Sequence, residues 1–287
     1  MSDKQDDMTD MFIDLHVHTT ASDGTLSPLE VVRRAKEAGL KAIAITDHDT
    51  IDGVKKAIEY TDSYDIELIP GIEISADFEP EMHLLGYFVD IHSIKLSDII
   101  KETRNQRFSD VIKTLFKLRS LGIAIHPVEV QKLAGKLNIY GIADLIIQKG
   151  YANSLDEVFK VFLGVGKPAY VHTKSPSPCN AIKIIKEAGG ICFLAHPHLL
   201  GKNKEQLERI MDELLFYGID GIECYHSHCS IEEQDLFIKM SMERRLLISG
   251  GSDFHGKTKP GIEIGCGYGN LKIPYELLIN MKLNKYS

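Results

Sequence analysis

The chain has 287 residues, of which 44% are hydrophobic and 26% are charged, and it contains no tryptophan. This composition excludes disordered and fibrous proteins, and the length favours one barrel-sized domain, with or without an insertion, over several independent modules. The formal net charge of −8 argues against a broad basic face for duplex nucleic acid, although bound cations could still attract an anionic substrate.

The sequence shows neither a secretory leader nor a membrane-spanning run, and we therefore expect a cytoplasmic protein without a membrane partner. Residues 1–10 are acidic, unlike a secretory leader, and no apolar run approaches the ~18 residues that a spanning helix needs. The five cysteines form no CxxC pair, so the sequence predicts neither a disulfide framework nor a cysteine-rich zinc site. A reducing compartment is therefore expected.

From residue 12 to residue 89, short apolar runs alternate with helical stretches, which is typical of βα units. Ser27 and Pro28 predict the start of the first helix, as a cap and a first-turn proline, and Gly39 predicts its end. The pattern predicts, in chain order, a strand at 12–17, helix at 27–38, strand at 42–46, helix at 52–60, and strands at 68–75 and 84–89.

Between residues 93 and 171 this alternation stops. A long helix is predicted at 97–121, and shorter ones at 140–149 and 155–163, without strands between them. We therefore expect residues 93–171 to form a helical insertion subdomain, with the main domain formed by residues 11–92 and 172–287.

The alternation returns after the insertion. The predicted elements are, in order, a helix at 181–188, strand at 191–195, helix at 204–216, strand at 221–225, helix at 231–244 and strand at 246–249. Seven strands that alternate in this way with helices predict an α/β protein, either a closed barrel or an open, doubly wound sheet. Periodicity alone does not choose between the two.

Histidines and carboxylates cluster where the apolar runs end. His16 and His18 are two residues apart on a predicted strand and therefore share a face, and the same spacing relates Asp253 and His255. In a barrel, the carboxyl ends of the strands surround one mouth, so distant clusters can converge. Imidazole and carboxylate without thiolate suit Zn, Mn or Fe. Further candidates are His48, Glu73, His83 and His196.

These residues lie in motifs that resemble the PHP (polymerase and histidinol phosphatase) superfamily of metal-dependent phosphoesterases, along nearly the whole chain. The motifs are DLHVH at 14–18 with SDG at 22–24, ITDHDT at 45–50, PGIE at 70–73, LAHP at 194–197 and GSDFHG at 251–256. Gly189-Gly190 and Tyr170-Val171 also fit the branch of nucleoside 3′,5′-bisphosphate phosphatases and 5′-3′ RNA exonucleases. The resemblance implies a distorted seven-stranded (β/α) barrel with a helical insertion.

The resemblance also implies a trinuclear centre of divalent ions, Mn, Fe or Zn. By the family pattern, the first ion would be held by His16, His18, Glu73 and Asp253, the second by Glu73, His83 and His196, and the third by Asp23, His48 and His255. Such ions would attract a phosphate, and a hydroxide bridging two of them would attack phosphorus.

Proton delivery to the leaving group needs a further side chain. His198 or His228 could supply it, although His198 could instead orient a ligand and His228 could orient substrate. Asp14 and Asp47 are predicted to fix the tautomers of ligating imidazoles.

The insertion carries the candidate substrate-binding residues. Arg104 and Arg107 are three residues apart on one predicted helix and therefore share a face, where they either clamp a second phosphate or are solvated. Relatives commonly have Gly-Arg-Pro-His before the next insertion helix, whereas residues 138–141 of this chain are Asn-Ile-Tyr-Gly. Selectivity for a bisphosphorylated nucleotide is therefore expected to be reduced or met by other groups.

The expected function is hydrolysis of a phosphate monoester, of a nucleotide such as a nucleoside 3′,5′-bisphosphate or at the end of a short oligonucleotide. Three alternatives remain open. A 5′-3′ exoribonuclease on short single-stranded RNA would use the cations of the long helix, Arg104, Arg107, Lys113 and Lys117. A histidinol-phosphate phosphatase and a non-catalytic, metal-stabilised binding domain are the other two.

Overall fold

The structure, a computed structural model, describes residues 11–132, 139–172 and 175–286. The acidic stretch 1–10 and Asn138, on which two of the predictions depend, lie outside the described residues. The chain divides into two compact units. We call Met1–Leu96 with Pro176–Ser287 the barrel unit, and Ser97–Ser175 the helical unit.

The barrel unit is built on one mixed sheet, with eight strands in the described residues. They are β1 (Phe12–Val17), β2 (Ala42–Ile45), β3 (Glu67–Ala76), β4 (Met82–Tyr87), β5 (Ile191–Leu194), β6 (Gly221–His226), β7 (Leu247–Gly251) and β8 (Ile273–Pro274). Their order in the sheet is β7-β6-β5-β4-β3-β2-β1-β8. Strand β4 is antiparallel to both β3 and β5, because a short connection rather than a crossover helix joins it to β3.

The two ends of this sheet approach each other and nearly close it into a barrel. The amide of His18 donates to the carbonyl of Phe254 at 2.9 Å, and the amide of Asp253 donates to the carbonyl of His16 at 2.9 Å. Gly251 makes this approach possible, since a Cβ at that position would lie 2.2 Å from the Cβ of His16. The predicted α/β barrel is confirmed, with the two-residue strand β8 as an addition to the seven predicted strands.

The helices in chain order are α1 (Pro28–Glu37), α2 (Asp52–Tyr64), α3 (Ile94–Ser120), α4 (Pro127–Lys132), α5 (Ile139–Gln148), α6 (Leu155–Val158), α7 (Pro178–Glu187), α8 (Lys204–Phe216), α9 (Ile231–Arg244) and α10 (Tyr275–Tyr286). The predicted start of α1 is confirmed: Ser27 and Glu30 form a reciprocal capping box, and Pro28 is the first helical residue. The sequence patterns did not predict α4, α10 or β8.

Each unit has an apolar core of its own. In the barrel unit, Leu15, Ala44, Leu85 and Phe193 belong to one buried cluster of strand residues, joined by Leu278 of α10. In the helical unit, the core is formed by residues of α3, α5 and α6 and by the π-helical turn Phe159–Leu163 that continues α6. Among the described residues, no helix combines the length and the apolarity needed to cross a membrane.

Candidate metal centre

The nine predicted metal ligands come together in the barrel unit. Each belongs to at least one group of side chains whose ligand atoms all lie within 4.8 Å of one another. The groups are His18, Asp23, His48 and His255; His16, His18 and Asp253; His16, Glu73 and His196; and His48, Glu73 and His83. Because neighbouring groups share residues, the nine side chains form one continuous centre. The allocation of ligands to three separate ions stays a prediction.

Glu73, on β3, lies in the middle of this centre, and both of its carboxylate oxygens face imidazole nitrogens. Its Oε2 atom is 3.3 Å from His16 Nε2, 3.2 Å from His18 Nε2 and 3.1 Å from His48 Nδ1. Its Oε1 atom is 3.0 Å from His83 Nδ1 and 3.1 Å from His196 Nε2. One carboxylate is therefore placed between two sets of nitrogen ligands.

His83 reaches the centre from the opposite end of its strand. It lies near the start of β4, opposite Ser75 of β3 in the antiparallel register. Because β4 is reversed, its amino end lies beside the carboxyl end of β3. His83 therefore enters the centre from the amino end of its strand, beside the carboxyl end of β3.

Asp253 and His255 lie close together in a loop, and not on one face of a strand as the sequence predicted. Strand β7 ends at Gly251, and Asp253 has a left-handed backbone with φ of 57°. Its Oδ1 atom lies 3.4 Å from His18 Nε2 and 3.3 Å from His255 Nδ1. The Nδ1 atom of His255 donates to the carbonyl of Asp253 at 2.8 Å, which leaves Nε2, 3.3 Å from Asp23 Oδ1, with a free lone pair.

The arrangement of these atoms fits bound cations. Glu73 Oε2 and His48 Nδ1 are buried and 3.1 Å apart, yet neither has a hydrogen-bond partner among the described residues. Buried polar atoms are otherwise almost always paired. Divalent ions bound by these atoms would satisfy both, and carboxylate with imidazole is a ligand set that Zn, Mn and Fe accept. The residues present therefore fit the metal centre that the sequence predicts.

Without ions, the charges of the centre act on the protonation of its rings. Burial would raise the pKa of Glu73, but His48 and other imidazoles hold it well below its usual range. Burial would lower the pKa of His18, but the neighbouring carboxylates of Asp253 and Glu73 raise it to about 9. The charge of Glu73 likewise raises the pKa of His83 to about 10 against the effect of burial. Protons and metal ions therefore compete for the same ring nitrogens.

The centre is closed on one side and open on the other. The side chains of His16 and His18 are fully buried, whereas that of Asp23 is 25% exposed and those of His48 and His83 are 20% exposed. Solvent therefore reaches the centre beside the last three residues.

Glu223, on β6, is a functional candidate that the sequence did not reveal. It is fully buried, and its Oε1 atom accepts a hydrogen bond from His16 Nδ1 at 2.8 Å. Its Oε2 atom accepts from the backbone amide of His196 at 2.7 Å. Glu223 thereby directs the Nε2 lone pair of His16 toward the centre. In the sequence, the only indication of this role was a single glutamate inside an otherwise largely apolar predicted strand.

Neither Asp14 nor Asp47 accepts a hydrogen bond from a ligating ring, so the predicted role is wrong for Asp14, whereas Asp47 reaches the ring of His18 only through the hydroxyl of Ser22. Asp14 accepts hydrogen bonds from the backbone amides of Ser252 and Gly265, each at 2.8 Å, rather than from a ligating ring. Asp47 accepts from the amide of Thr19 at 2.7 Å and from nearby hydroxyl groups. Both carboxylates therefore hold the loops that carry the ligands.

His198 and His228, the predicted proton donors, flank a third ring, His226, which the sequence did not single out. The ring centroids of His198 and His226 are 4.7 Å apart, and burial together with His226 lowers the pKa of His198 to about 3. The amide of His228 donates to His226 Nδ1 at 3.2 Å, and its own Nε2 lies 3.4 Å from the hydroxyl of Tyr268. His226 Nε2 therefore donates to Asp253 Oδ2, at 3.3 Å.

Lys259 is a second functional candidate that the sequence patterns did not identify. Its ammonium group contacts Asp253 Oδ2, on the opposite side of that carboxylate from His18. The charge of Asp253 raises the pKa of Lys259 although burial opposes the shift. A permanent cation therefore lies at the edge of the centre.

The predicted substrate-binding residues Arg104 and Arg107 belong to α3 in the helical unit, not to the unit that carries the ligands. On the same helix, Lys113 pairs with Asp110 at 2.8 Å and Lys117 donates to a backbone carbonyl at 2.6 Å. Two of the four cations proposed for RNA binding are thus engaged within the unit. The roles of Arg104 and Arg107 stay predictions.

Comparisons with known proteins agree with this geometry. A model of the PHP domain matches residues 14–215. The chain is 34% identical to the 5′-3′ exoribonuclease Rnm of Escherichia coli K12, covering 88% of this chain and 87% of that protein. It is 28% identical to the 3′,5′-nucleoside bisphosphate phosphatase of Chromobacterium violaceum, with coverage of 88% and 90%. A solved structure from Bifidobacterium adolescentis, described as a metal-dependent phosphoesterase, covers 96% of both chains at 27% identity with a TM-score of 0.81.

Proposed function

The chain belongs to the PHP family of metal-dependent phosphoesterases, and from this premise we propose that it hydrolyses the phosphate monoester of a nucleotide, such as a nucleoside 3′,5′-bisphosphate, or a phosphate at the end of a short oligonucleotide. The placement of Glu73 between two sets of imidazole nitrogens carries this proposal, because a carboxylate so placed can hold two cations side by side. The open side of the centre supports access by a phosphate group.

Three divalent ions, Mn, Fe or Zn, are the proposed cofactors. Bound ions of this kind lower the pKa of a water, which can then attack phosphorus, and they offset the charge of the phosphate. Glu73 would serve two of them, one with His16, His18 and Asp253 and the other with His83 and His196. The remaining ion would be held by Asp23, His48 and His255, whose ligand atoms lie together with those of His18.

His228 is the proposed proton donor to the leaving group. Burial and the neighbouring rings lower the pKa of His198 to about 3, so that its ring holds no transferable extra proton near neutral pH. Burial and the charge of His226 lower the pKa of His228 as well, but this residue is exposed and can exchange protons with solvent. Its Nε2 atom lies 3.4 Å from the Tyr268 hydroxyl. We favour His228 because its exposed ring can regain a proton from solvent, whereas the ring of His198 is not protonated near neutral pH.

A second candidate activity is 5′-3′ exoribonucleolytic cleavage of short RNA. The E. coli relative carries that name. On α3, Arg104 and Phe108 are one helical turn apart, and Phe108 is 40% exposed. A cation beside an exposed aromatic ring is the combination on which single-stranded RNA stacks. Both activities would use the same metal centre and differ in what the helical unit binds.

The proposal is tested on protein whose metal content has been measured. Hydrolysis of an aryl phosphate with Mn²⁺, Fe²⁺ or Zn²⁺ tests the phosphomonoesterase activity, and lack of turnover with all three would favour the non-catalytic binding domain. A panel of nucleoside 3′,5′-bisphosphate, mononucleotide, short RNA and histidinol phosphate then ranks the substrates by kcat/KM. A preference for histidinol phosphate would contradict the nucleotide assignment.

A further inference from the structure

Lys259 is brought to the metal centre by a loop with a fixed backbone. The 3₁₀ turn Gly256–Thr258 directly follows His255. The amide of Lys257 donates to the hydroxyl of Thr25 at 2.9 Å, and the hydroxyl of Thr258 donates to the carbonyl of His255 at 3.0 Å. These bonds set where the stem of Lys259 begins, while its four-carbon side chain can still move its ammonium group.

The two oxygens of Asp253 face different neighbours. Oδ1 faces the ligating rings, 3.4 Å from His18 Nε2 and 3.6 Å from His16 Nε2. Oδ2 faces the ammonium group of Lys259 and, at 3.3 Å, the Nε2 atom of His226. Lys259 therefore lies outside the set of ligand atoms but in direct contact with one of the carboxylates that belongs to it.

The contact with Asp253 depends on the charge of the centre. In the structure, the carboxylates of Asp253, Glu73 and Asp23 all attract the ammonium group of Lys259. Cations bound among the same carboxylates would offset that attraction and repel a neighbouring ammonium group. The Lys259 side chain is 36% exposed, so its ammonium group is not enclosed at this contact.

We propose that Lys259 is a substrate-binding residue, whose ammonium group leaves Asp253 in the metal-loaded protein and binds a non-bridging oxygen of the substrate phosphate. An ammonium group offers three donors and binds phosphate as a point charge. It would hold the phosphate from the side of Asp253 that the ligating rings leave free. The inference rests on the proposed phosphoesterase function but concerns binding rather than turnover.

The test compares Lys259→Met with Lys257→Met, a matched control that removes the same charge two residues earlier on the same loop. Metal content is measured by elemental analysis, and binding of inorganic phosphate to the Mn²⁺-loaded proteins is measured by calorimetry. We expect Lys259→Met to keep its metal content and to raise the Kd for inorganic phosphate by about tenfold or more, the usual effect of losing one charged hydrogen bond. Lys257→Met should match the wild type, and Lys259→Arg should recover most of the affinity.

Unchanged phosphate affinity in Lys259→Met would overturn the inference, because Lys259 would then only balance the charge of Asp253. So would a loss of metal, which would assign Lys259 to the support of the ligand set. Failure of the proposed phosphoesterase function would give a different experimental result. In that case the wild-type protein would bind inorganic phosphate, with the predicted dependence on Lys259, and yet hydrolyse no phosphate ester.

Discussion

The barrel unit and the helical unit bury different kinds of side chain. Among the described residues, all the buried polar or charged side chains except Asp110 and Thr114 belong to the barrel unit. The core of the helical unit is aliphatic and aromatic, with residues such as Leu118 and Ile146. Burial of charged groups costs free energy unless each is paired or binds a metal. The barrel unit therefore buries charged groups around its metal centre despite the free-energy cost, whereas the helical unit buries almost none.

This difference implies that the two units respond differently to substitution. A change within the buried polar set of the barrel unit should alter metal binding or turnover for every substrate. A change on the surface of the helical unit should alter the choice among substrates and leave the hydrolytic step intact. The experiments below test this division, beginning with the change from which we expect the largest effect.

Replacing Glu73 by Gln should have the largest effect. The substitution removes a charge that faces imidazole nitrogens on both carboxylate oxygens, and it keeps the side-chain volume. We expect turnover of an aryl phosphate to fall by roughly a thousand-fold, which corresponds to about 4 kcal/mol of transition-state stabilisation. The number of bound ions, measured by elemental analysis, should fall as well.

Glu37→Gln is the matched control, since Glu37 is an exposed residue of α1 paired with Arg33. It should behave as the wild type in both measurements. A Glu73→Gln variant that kept all its ions and most of its activity would contradict the central position assigned to this carboxylate.

The second prediction separates the proton donor from the metal ligands. His228→Gln should slow hydrolysis of alkyl or nucleotide phosphates by about a hundred-fold, because their leaving groups need a proton, and should affect an activated aryl phosphate much less. The measurement is the dependence of kcat on the pKa of the leaving group. An equal loss on all substrates would instead assign His228 to substrate positioning, and His92→Gln, at an exposed position, serves as the control.

The extent to which the sequence predicts this site depends on the kind of residue. His16 and His48 lie in motifs at the ends of apolar runs, so both pattern and family resemblance identify them. Glu223 and Lys259 occur singly, in a strand and in a loop, and acquire their roles only when distant chain segments meet. The reversed direction of β4 was also invisible, since an apolar run does not encode the direction in which its strand pairs.

The third prediction concerns Glu223. Glu223→Ala leaves His16 Nδ1 and the backbone amide of His196 without their acceptor, so the ring of His16 and the backbone that carries His196 lose their support. We expect metal affinity to fall by roughly 10- to 100-fold, the usual cost of removing a group that orients a ligand. Glu223→Gln retains an acceptor and should be less affected. Equal metal affinity of Glu223→Ala and the wild type, measured by competition with a chelator, would refute this role.

The fourth prediction is that metal binding releases protons. The raised pKa values of His18, about 9, and His83, about 10, mean that both rings are protonated at neutral pH in the metal-free protein. Each ring must lose its proton to bind an ion, so apparent affinity should rise by about tenfold per pH unit per released proton until the pH passes these pKa values. Calorimetry in buffers of different ionisation enthalpy counts the protons. A count of zero at pH 7 would contradict the prediction.

The smallest effect is expected in the helical unit. Arg104→Ala removes an exposed cation from α3, and if that residue contacts the distal part of a nucleotide, KM for a nucleoside 3′,5′-bisphosphate should rise a few-fold, as expected for a solvated ion pair. The KM for an aryl phosphate, which has no distal group, should not change. Arg119→Ala, on the same helix, is the control for loss of charge. An equal loss of kcat/KM on both substrates would mean that Arg104 supports the fold of the helical unit, because selective binding alters only the substrate that makes the contact.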